Sequence, residues 1–547
     1  WLIFIIFIIL NLFFKRKFLT SIPNLFFLII LTIYILPAHY YGEQFYVFRG
    51  NHWDLFSYLS ISSLFNLSSF NKIDFITDFN FFLHFQGIET LIHSRPLTSL
   101  ILAIFLNIKF LNAFFLVHLF KSILVVLSTL SIKYMLNSLK LNNLDKLLLI
   151  FIFPFSFWVI YIFEIEALSH LASLPIFLLI IAELKNLSKF NTKNIGYLIY
   201  FSVLNASLFL IYPEIFLISA SIIFICLAIE FKNKKLKNLI LFKSSFIFLF
   251  FFILLTCTSF KTNYIFLYGQ IFSSLKGSND WWGYFGSFII GRENLILDKT
   301  FVFQLKEILI NDNLISAIKY IFNKHIEENY YFFYINIIPS FFGLYYLSVG
   351  KISDLVNILN FIGVIFLIIY IVSIFKRNIN KLKNNNKIIF NIIFFVFLSL
   401  IIIFLGNFWL SIKLYFYLFP FIFISIVINF NIKRKKNTIN MLIVMLLALF
   451  PIYKFIYKDN GVGRLDSFPS IMNYSMKKNF NWKIQTNELS KCEYIVVKTE
   501  KYFEKSYLII KFLHESINSN ILGIKQKKDK NNCNLFVTEE KFKIIKN

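Results

Sequence analysis

Long apolar runs recur along this chain and limit the folds open to it. Residues 111–131, 195–212, 239–260 and 410–430 each carry at most one formal charge. A helix needs about 20 mostly apolar residues to cross a bilayer. The runs are continuous and lack period-two alternation, which argues against a β-barrel. The chain is 58% hydrophobic and 20% aromatic, more apolar than soluble domains tolerate. The expected fold is therefore an all-α polytopic membrane protein.

Charge places the loops. Five clusters are assigned to the cytoplasmic side: Lys15/Arg16/Lys17, Lys185/Lys189/Lys193, Lys232 to Lys237, Lys376 to Lys387, and Lys433 to Lys436. Parity then gives about twelve crossings: 1–14, 21–36, 111–131, 147–163, 167–183, 195–212, 215–229, 239–260, 354–375, 388–405, 410–430 and 441–457. Residues 97–108 are short for a crossing and are expected to lie along the outer interface as an amphipathic helix. Residues 330–349, broken by Pro339, read as re-entrant or interfacial. In 303–310 and 314–322 the spacing suggests further interfacial helices. Lys133, Lys140 and Lys146 fall on the cytoplasmic side in this arrangement.

Two hydrophilic excursions, 38–96 and 261–329, become outer loops. The transmembrane part is 1–457, and 458–547 is expected to be a small extracytoplasmic α/β domain. In that tail 493–498, 521–524 and 534–537 read as strands, and 503–517 has helical spacing. The chain begins at Trp1, so residues 1–14 are read as part of a longer helix and not as a cleaved signal.

The net charge of +26 follows a general richness in Lys, with no basic cluster shaped for nucleic acid. Nucleic acid is therefore not an expected partner. Cys226 and Cys257 lie in apolar runs and read as packing residues. Cys492 and Cys533 are either a disulfide in an oxidising compartment or two free thiols.

The first loop holds NHWDLFSYLS, with Asp54 in an aromatic setting, and closes on SRPLTSLILAIF. A carboxylate at Asp54 can take a proton from an attacking hydroxyl; its plainer role is to cap a helix starting near Leu55. His52 is a candidate metal neighbour or an interfacial polar residue. Arg95 precedes Pro96 at a helix start, where backbone N–H groups and a guanidinium favour phosphate; alternatively it anchors an interfacial helix. Lys121 sits near the middle of a crossing, where an ammonium requires a counter-charge or must snorkel. Glu164 and Glu166 lie at an outer turn, and Glu214 follows Pro213 at another helix start, where a carboxylate also complements the dipole. In the second loop Trp281, Trp282 and Arg292 suit a sugar face and a phosphate, or equally an aromatic belt.

A site outside the cytoplasm has no free nucleotide-sugar, so an activated sugar must arrive on a lipid. The sequence resembles the GT-C superfamily of integral membrane glycosyltransferases, which use polyprenyl-phosphate sugars. The resemblance rests on NHWDLFSYLS, SRPLTSLILAIF, VHLFKSILVV and YIFEIEALSHLASLP, in that order, over roughly the first two hundred residues. It implies Asp54 as general base, Glu166 as the second acidic position with Glu164 beside it, and a lipid-linked sugar donor. The acceptor would be a glycan, lipid or protein. Many members carry an acidic pair in the first loop, whereas Asp54 has no adjacent acid, so a divalent cation (Mg or Mn) on Asp54 stays open. The localisation implied is a bacterial cytoplasmic membrane, with the site facing outward. The competing readings are a non-enzymatic transporter or flippase of a lipid-linked sugar, and an O-antigen polymerase or ligase.

Overall fold

The computed structural model describes residues 24–41, 95–108, 113–137, 153–164, 167–232 and 238–276, and three strands between 494 and 546. It also describes parts of 58–65, 307–316 and 414–421 and a few isolated positions. The chain divides into two compact units. One comprises Trp1–Ser131, Glu166–Leu267 and Asn473–Asn547; the other comprises Ile132–Ile165 and Tyr268–Met472.

The first unit is built around one helix. Its helices are α1 (Asn24–Tyr41), α2 (Pro96–Leu106), most of α3 (Ala113–Asn137), α5 (Leu168–Glu183), α6 (Ile195–Ile211), α7 (Pro213–Lys232), α8 (Asn238–Thr256) and the start of α9 (Phe260–Lys276). Helix α6 packs against α2, α5, α7 and α8. The sequence of α6 explains its central place, because no residue in it is charged and small Ala and Ser side chains permit close approach. Ser202 Oγ reaches the Phe248 carbonyl of α8 at 3.0 Å. Nearby, Phe209 meets Phe252 at 5.7 Å and Phe216 at 5.2 Å between ring centroids. Both ring planes are steeply inclined, as the aromatic quadrupole favours.

The outer faces are apolar. On α8, Phe242 is 74% exposed and Phe246 67%, with Leu249, Phe250 and Ile253 also exposed. These positions recur at three- and four-residue spacing, one stripe of the helix. Polar groups instead turn inward: Thr98, Ser99, His118, Lys121, Ser169, His170, Ser202 and Asn205 are all buried. A chain with apolar residues outside and polar residues inside is suited to lipid rather than water.

Among the described residues, Phe115–Asn137 and Thr192–Ile211 are long and apolar enough to cross a membrane. A third span exists if Phe242–Thr256 and Phe260–Gly269, bent by 91°, count as one. The expected crossings at 167–183 and 195–212 coincide with helices α5 and α6, although α5 has only 16 residues.

Several expectations change. Residues 147–163 are not one helix: a 3-10 turn, Phe153–Phe155, precedes α4 (Phe157–Glu164). Pro154 lacks an N–H, and Ser156 Oγ donates to the Phe153 carbonyl at 2.7 Å, closing the turn just before α4. This turn belongs to the second unit, where the Phe153 ring stacks on Phe419 at 5.5 Å. Helix α3 runs on to Asn137, so Lys133 is a buried helical residue and not part of a loop. Residues 38–41, expected in the first loop, belong to α1, which continues to Tyr41. The loop expected from 261 opens as helix α9. There Asn263 and Leu267 are buried one turn apart, and Asn263 Nδ2 holds the Phe209 carbonyl at 3.4 Å. Helix α2 is apolar on its outward side, with Ile104 exposed, and turns Thr98 and Ser99 inward. With Leu97, Leu102, Ala103 and Leu106 also buried, it has no polar outer face of the kind expected for an amphipathic surface helix. Cys226 is buried, but Cys257 is exposed at the break between α8 and α9.

In the tail, β1 (Tyr494–Lys498), β2 (Asn532–Val537) and β3 (Phe542–Lys546) form a sheet. Strand β2 is central, parallel to β1 and antiparallel to β3. The first two strands fall where alternation placed them; β3 was not anticipated. Residues 503–517 and 521–524, the crossings at 354–375 and 441–457, and all of 388–405 except Leu398 lie outside the described residues.

Candidate functional site

Three helix starts in the first unit are joined by buried polar side chains. Helix α2 opens at Pro96, which suits a first turn because its missing N–H would have had no partner there. Arg95 caps it with a non-helical backbone and no side-chain cap bond. Helix α5 starts after Ala167, also without a side-chain cap. Helix α7 opens on Pro213 and Glu214.

Arg95 and Glu214 form an ion pair through Nη2 and Oε1, and Arg95 is 8% exposed. The guanidinium lies over the Tyr212 ring at 4.5 Å and over the Phe266 ring at 5.2 Å. Aromatic faces attract a cation through their quadrupole. Burial opposes the charge on Arg95, but the Glu214 carboxylate, followed by the Tyr58 and Tyr212 hydroxyls, holds its pKa well above the ordinary arginine value. Arg95 therefore stays charged, with the Glu214 carboxylate as its counter-charge.

A hydroxyl relay leads away from this pair. Arg95 donates to the Tyr58 hydroxyl, which bonds Ser169 Oγ, and Ser169 Oγ lies 3.2 Å from Thr98 Oγ1. The relay joins the first hydrophilic excursion to the starts of α2 and α5. Tyr58, Leu59, Ile61 and Ser62 are helical and buried, so this part of the excursion is packed into the protein. Beside them, His170 Nε2 bonds the Tyr212 hydroxyl, with the two rings edge to face at 4.5 Å. Tyr212 thus touches both Arg95 and His170.

Some polar atoms of the cluster are left over. Among the described residues, Arg95 Nε, Glu214 Oε2 and Ser99 Oγ are buried without a hydrogen-bond partner. Each such atom costs about 1–3 kcal/mol unless something satisfies it. With their first-turn N–H groups uncapped by side chains, α2 and α5 add backbone donors at their positive dipole ends. The cluster can hold a ligand rich in oxygen.

Of the residues singled out from sequence, the structure brings Arg95 and Glu214 together. Lys121 is buried in α3. Glu164 ends α4, but its side chain lies outside the described residues, as do Asp54, His52, Glu166, Trp281, Trp282 and Arg292. No group of three or more His, Cys, Asp or Glu side chains suited to a metal occurs among the described residues. Tyr58, Thr98, Ser169, His170 and Tyr212 were not anticipated. Each lies within four residues of a motif residue, and that adjacency was the available signal. No protein-family model, curated protein or solved structure matches the chain.

Proposed function

We propose that the chain is a membrane glycosyltransferase of the GT-C kind, moving a sugar from a polyprenyl-phosphate donor to a glycan, lipid or protein acceptor outside the cytoplasm. It would be a multi-pass protein of a bacterial cytoplasmic membrane, with the tail from residue 458 as a small outward α/β domain. The observation that carries this reading is the buried Arg95–Glu214 pair at the joined starts of α2, α5 and α7. Polar machinery of this kind is costly to maintain in an apolar helical protein and marks functional sites. Its position also agrees with the motif order, since Arg95, Ser169 and Tyr58 all lie in or beside the segments that carry the resemblance.

In this reading an acceptor hydroxyl attacks the anomeric carbon while Asp54 takes its proton, and polyprenyl phosphate leaves. Glu166, with Glu164 near it, is the second acidic position. Lys121 and Arg292 oppose the charge that grows on the leaving oxygen. Trp281, Trp282 and His52 line the approach of the sugar. A divalent cation on Asp54 would serve as Lewis acid.

The test is a reconstituted assay with polyprenyl-phosphate sugars and a crude envelope acceptor. Release of polyprenyl phosphate with transfer of sugar supports the proposal. Movement of the lipid-linked sugar between leaflets without bond cleavage makes the protein a carrier and contradicts it.

A further inference from the structure

We infer that the Arg95–Glu214 pair is a clamp for two neighbouring hydroxyl groups of a neutral sugar. This rests on the transferase reading and specifies what the site holds. A lone buried arginine would be expected to seize the lipid phosphate. Here its charge is already balanced by Glu214, and its ring contacts with Tyr212 and Phe266 fix the guanidinium plane. An anion entering the cluster would face the Glu214 carboxylate at once, so the pair disfavours phosphate and tolerates a neutral guest.

The unused atoms specify that guest. Nε of Arg95 lies two bonds from the nitrogen that grips Glu214, and Oε2 of Glu214 lies two bonds from the oxygen that is gripped. Both are buried without a partner, as is Ser99 Oγ in the first turn of α2, four residues after Arg95. Nε can only donate, Oε2 of an ionised carboxylate can only accept, and Ser99 can do both. A vicinal diol matches this set: one oxygen accepts from Nε, and the other hydroxyl donates to Oε2. Ser99 then takes up whichever lone pair or proton remains. The phosphodiester of a polyprenyl-phosphate sugar has no O–H to donate to Oε2. Arg95 is more than nine-tenths buried and Ser99 is 1% exposed, so bulk water does not satisfy these atoms.

The experiment uses the full chain in detergent with a panel of methyl hexosides and pentosides, and with inorganic phosphate as the anionic probe. Thermal stabilisation is followed against probe concentration for the wild type, Glu214→Gln and Ser99→Ala. At least one glycoside is expected to stabilise the wild type. Its half-saturating concentration should rise about tenfold or more in Glu214→Gln and by a smaller factor in Ser99→Ala, reflecting loss of bonds to a charged and a neutral partner. Phosphate should not stabilise the wild type or Ser99→Ala, and any effect of phosphate should be confined to Glu214→Gln, where Arg95 has lost its counter-charge. Ser99→Ala covers the case in which Glu214→Gln fails to fold. The inference is overturned if no glycoside stabilises the wild type, as when a buried water fills the site. It is also overturned if the variants bind glycosides like the wild type, or if phosphate alone responds to the substitutions. Unaltered glycoside binding together with Asp54-dependent release of polyprenyl phosphate removes the clamp and leaves the transferase. Variant-sensitive glycoside binding without any transfer leaves the clamp and removes the transferase.

Discussion

Arg95 and Glu214 stand 119 positions apart in the chain and meet as an ion pair between the starts of two helices, α2 and α7. The pair is nearly enclosed, and each partner is the other's counter-charge. A buried pair is weak evidence of net stabilisation, but removing one member strands a charge.

Glu214→Leu is accordingly expected to destabilise the detergent-solubilised protein by about 3–5 kcal/mol. Replacing both members with apolar side chains, Arg95→Met with Glu214→Leu, should cost less than either single change. Thermal denaturation of the four proteins measures this. Because Arg95 is held above the ordinary arginine pKa, its contribution is complete at neutral pH and is lost only as pH rises through that elevated value. The difference between wild type and Arg95→Met should therefore not vary with pH around neutrality through deprotonation of Arg95.

Tyr58→Phe cuts the relay between Arg95 and Ser169 and leaves both groups short of a partner. The expected cost is about 1–3 kcal/mol. Ser169→Ala should cost a similar amount, and the double variant less than the sum, because both changes break one bond. Additive costs would show that the relay does not act as a unit.

The exposed stripe of α8 tests which solvent surrounds the helices. Phe246→Lys puts a charge on an outward face. In lipid near the middle of a span this costs about 2.5–3.5 kcal/mol on insertion scales, whereas in water it would be close to neutral. Membrane integration of the variant in a translation system with microsomes distinguishes the two.

Ser202→Ala removes the bridge from α6 to the Phe248 carbonyl of α8. A loss of about 0.5–1.5 kcal/mol is expected, since Ser202 also bonds the Leu198 carbonyl of its own helix and part of its bonding is local.

Local features were legible in the sequence and distant pairings were not. Apolar runs gave α5 and α6 nearly to the residue, because hydropathy is a property of neighbouring positions. Arg95-Pro96 and Pro213-Glu214 were read as helix starts for the same reason, and both are. The meeting of Arg95 with Glu214 left no mark, since nothing in either motif refers to the other. Each sequence context marks its residue as a binding group, but not the two as partners. Tyr58 carries no local sign of burial, because the residues around it form a hydrophilic excursion. The break at Pro154 stood in plain sight within an apolar run, yet run length outweighed it. Helix α9 was lost to its two lysines and its Asn, which made a helix turned partly outward resemble a loop.

The most direct measurement compares turnover by wild type and Asp54→Asn, with polyprenyl-phosphate sugar and envelope acceptor, in preparations of matched thermal stability. The expected result is release of polyprenyl phosphate by the wild type and a loss of about 10²–10⁴-fold in the variant, the range for removing a general base. Equal turnover by the two proteins, or no cleavage by the wild type, would contradict a transferase in which Asp54 is the base.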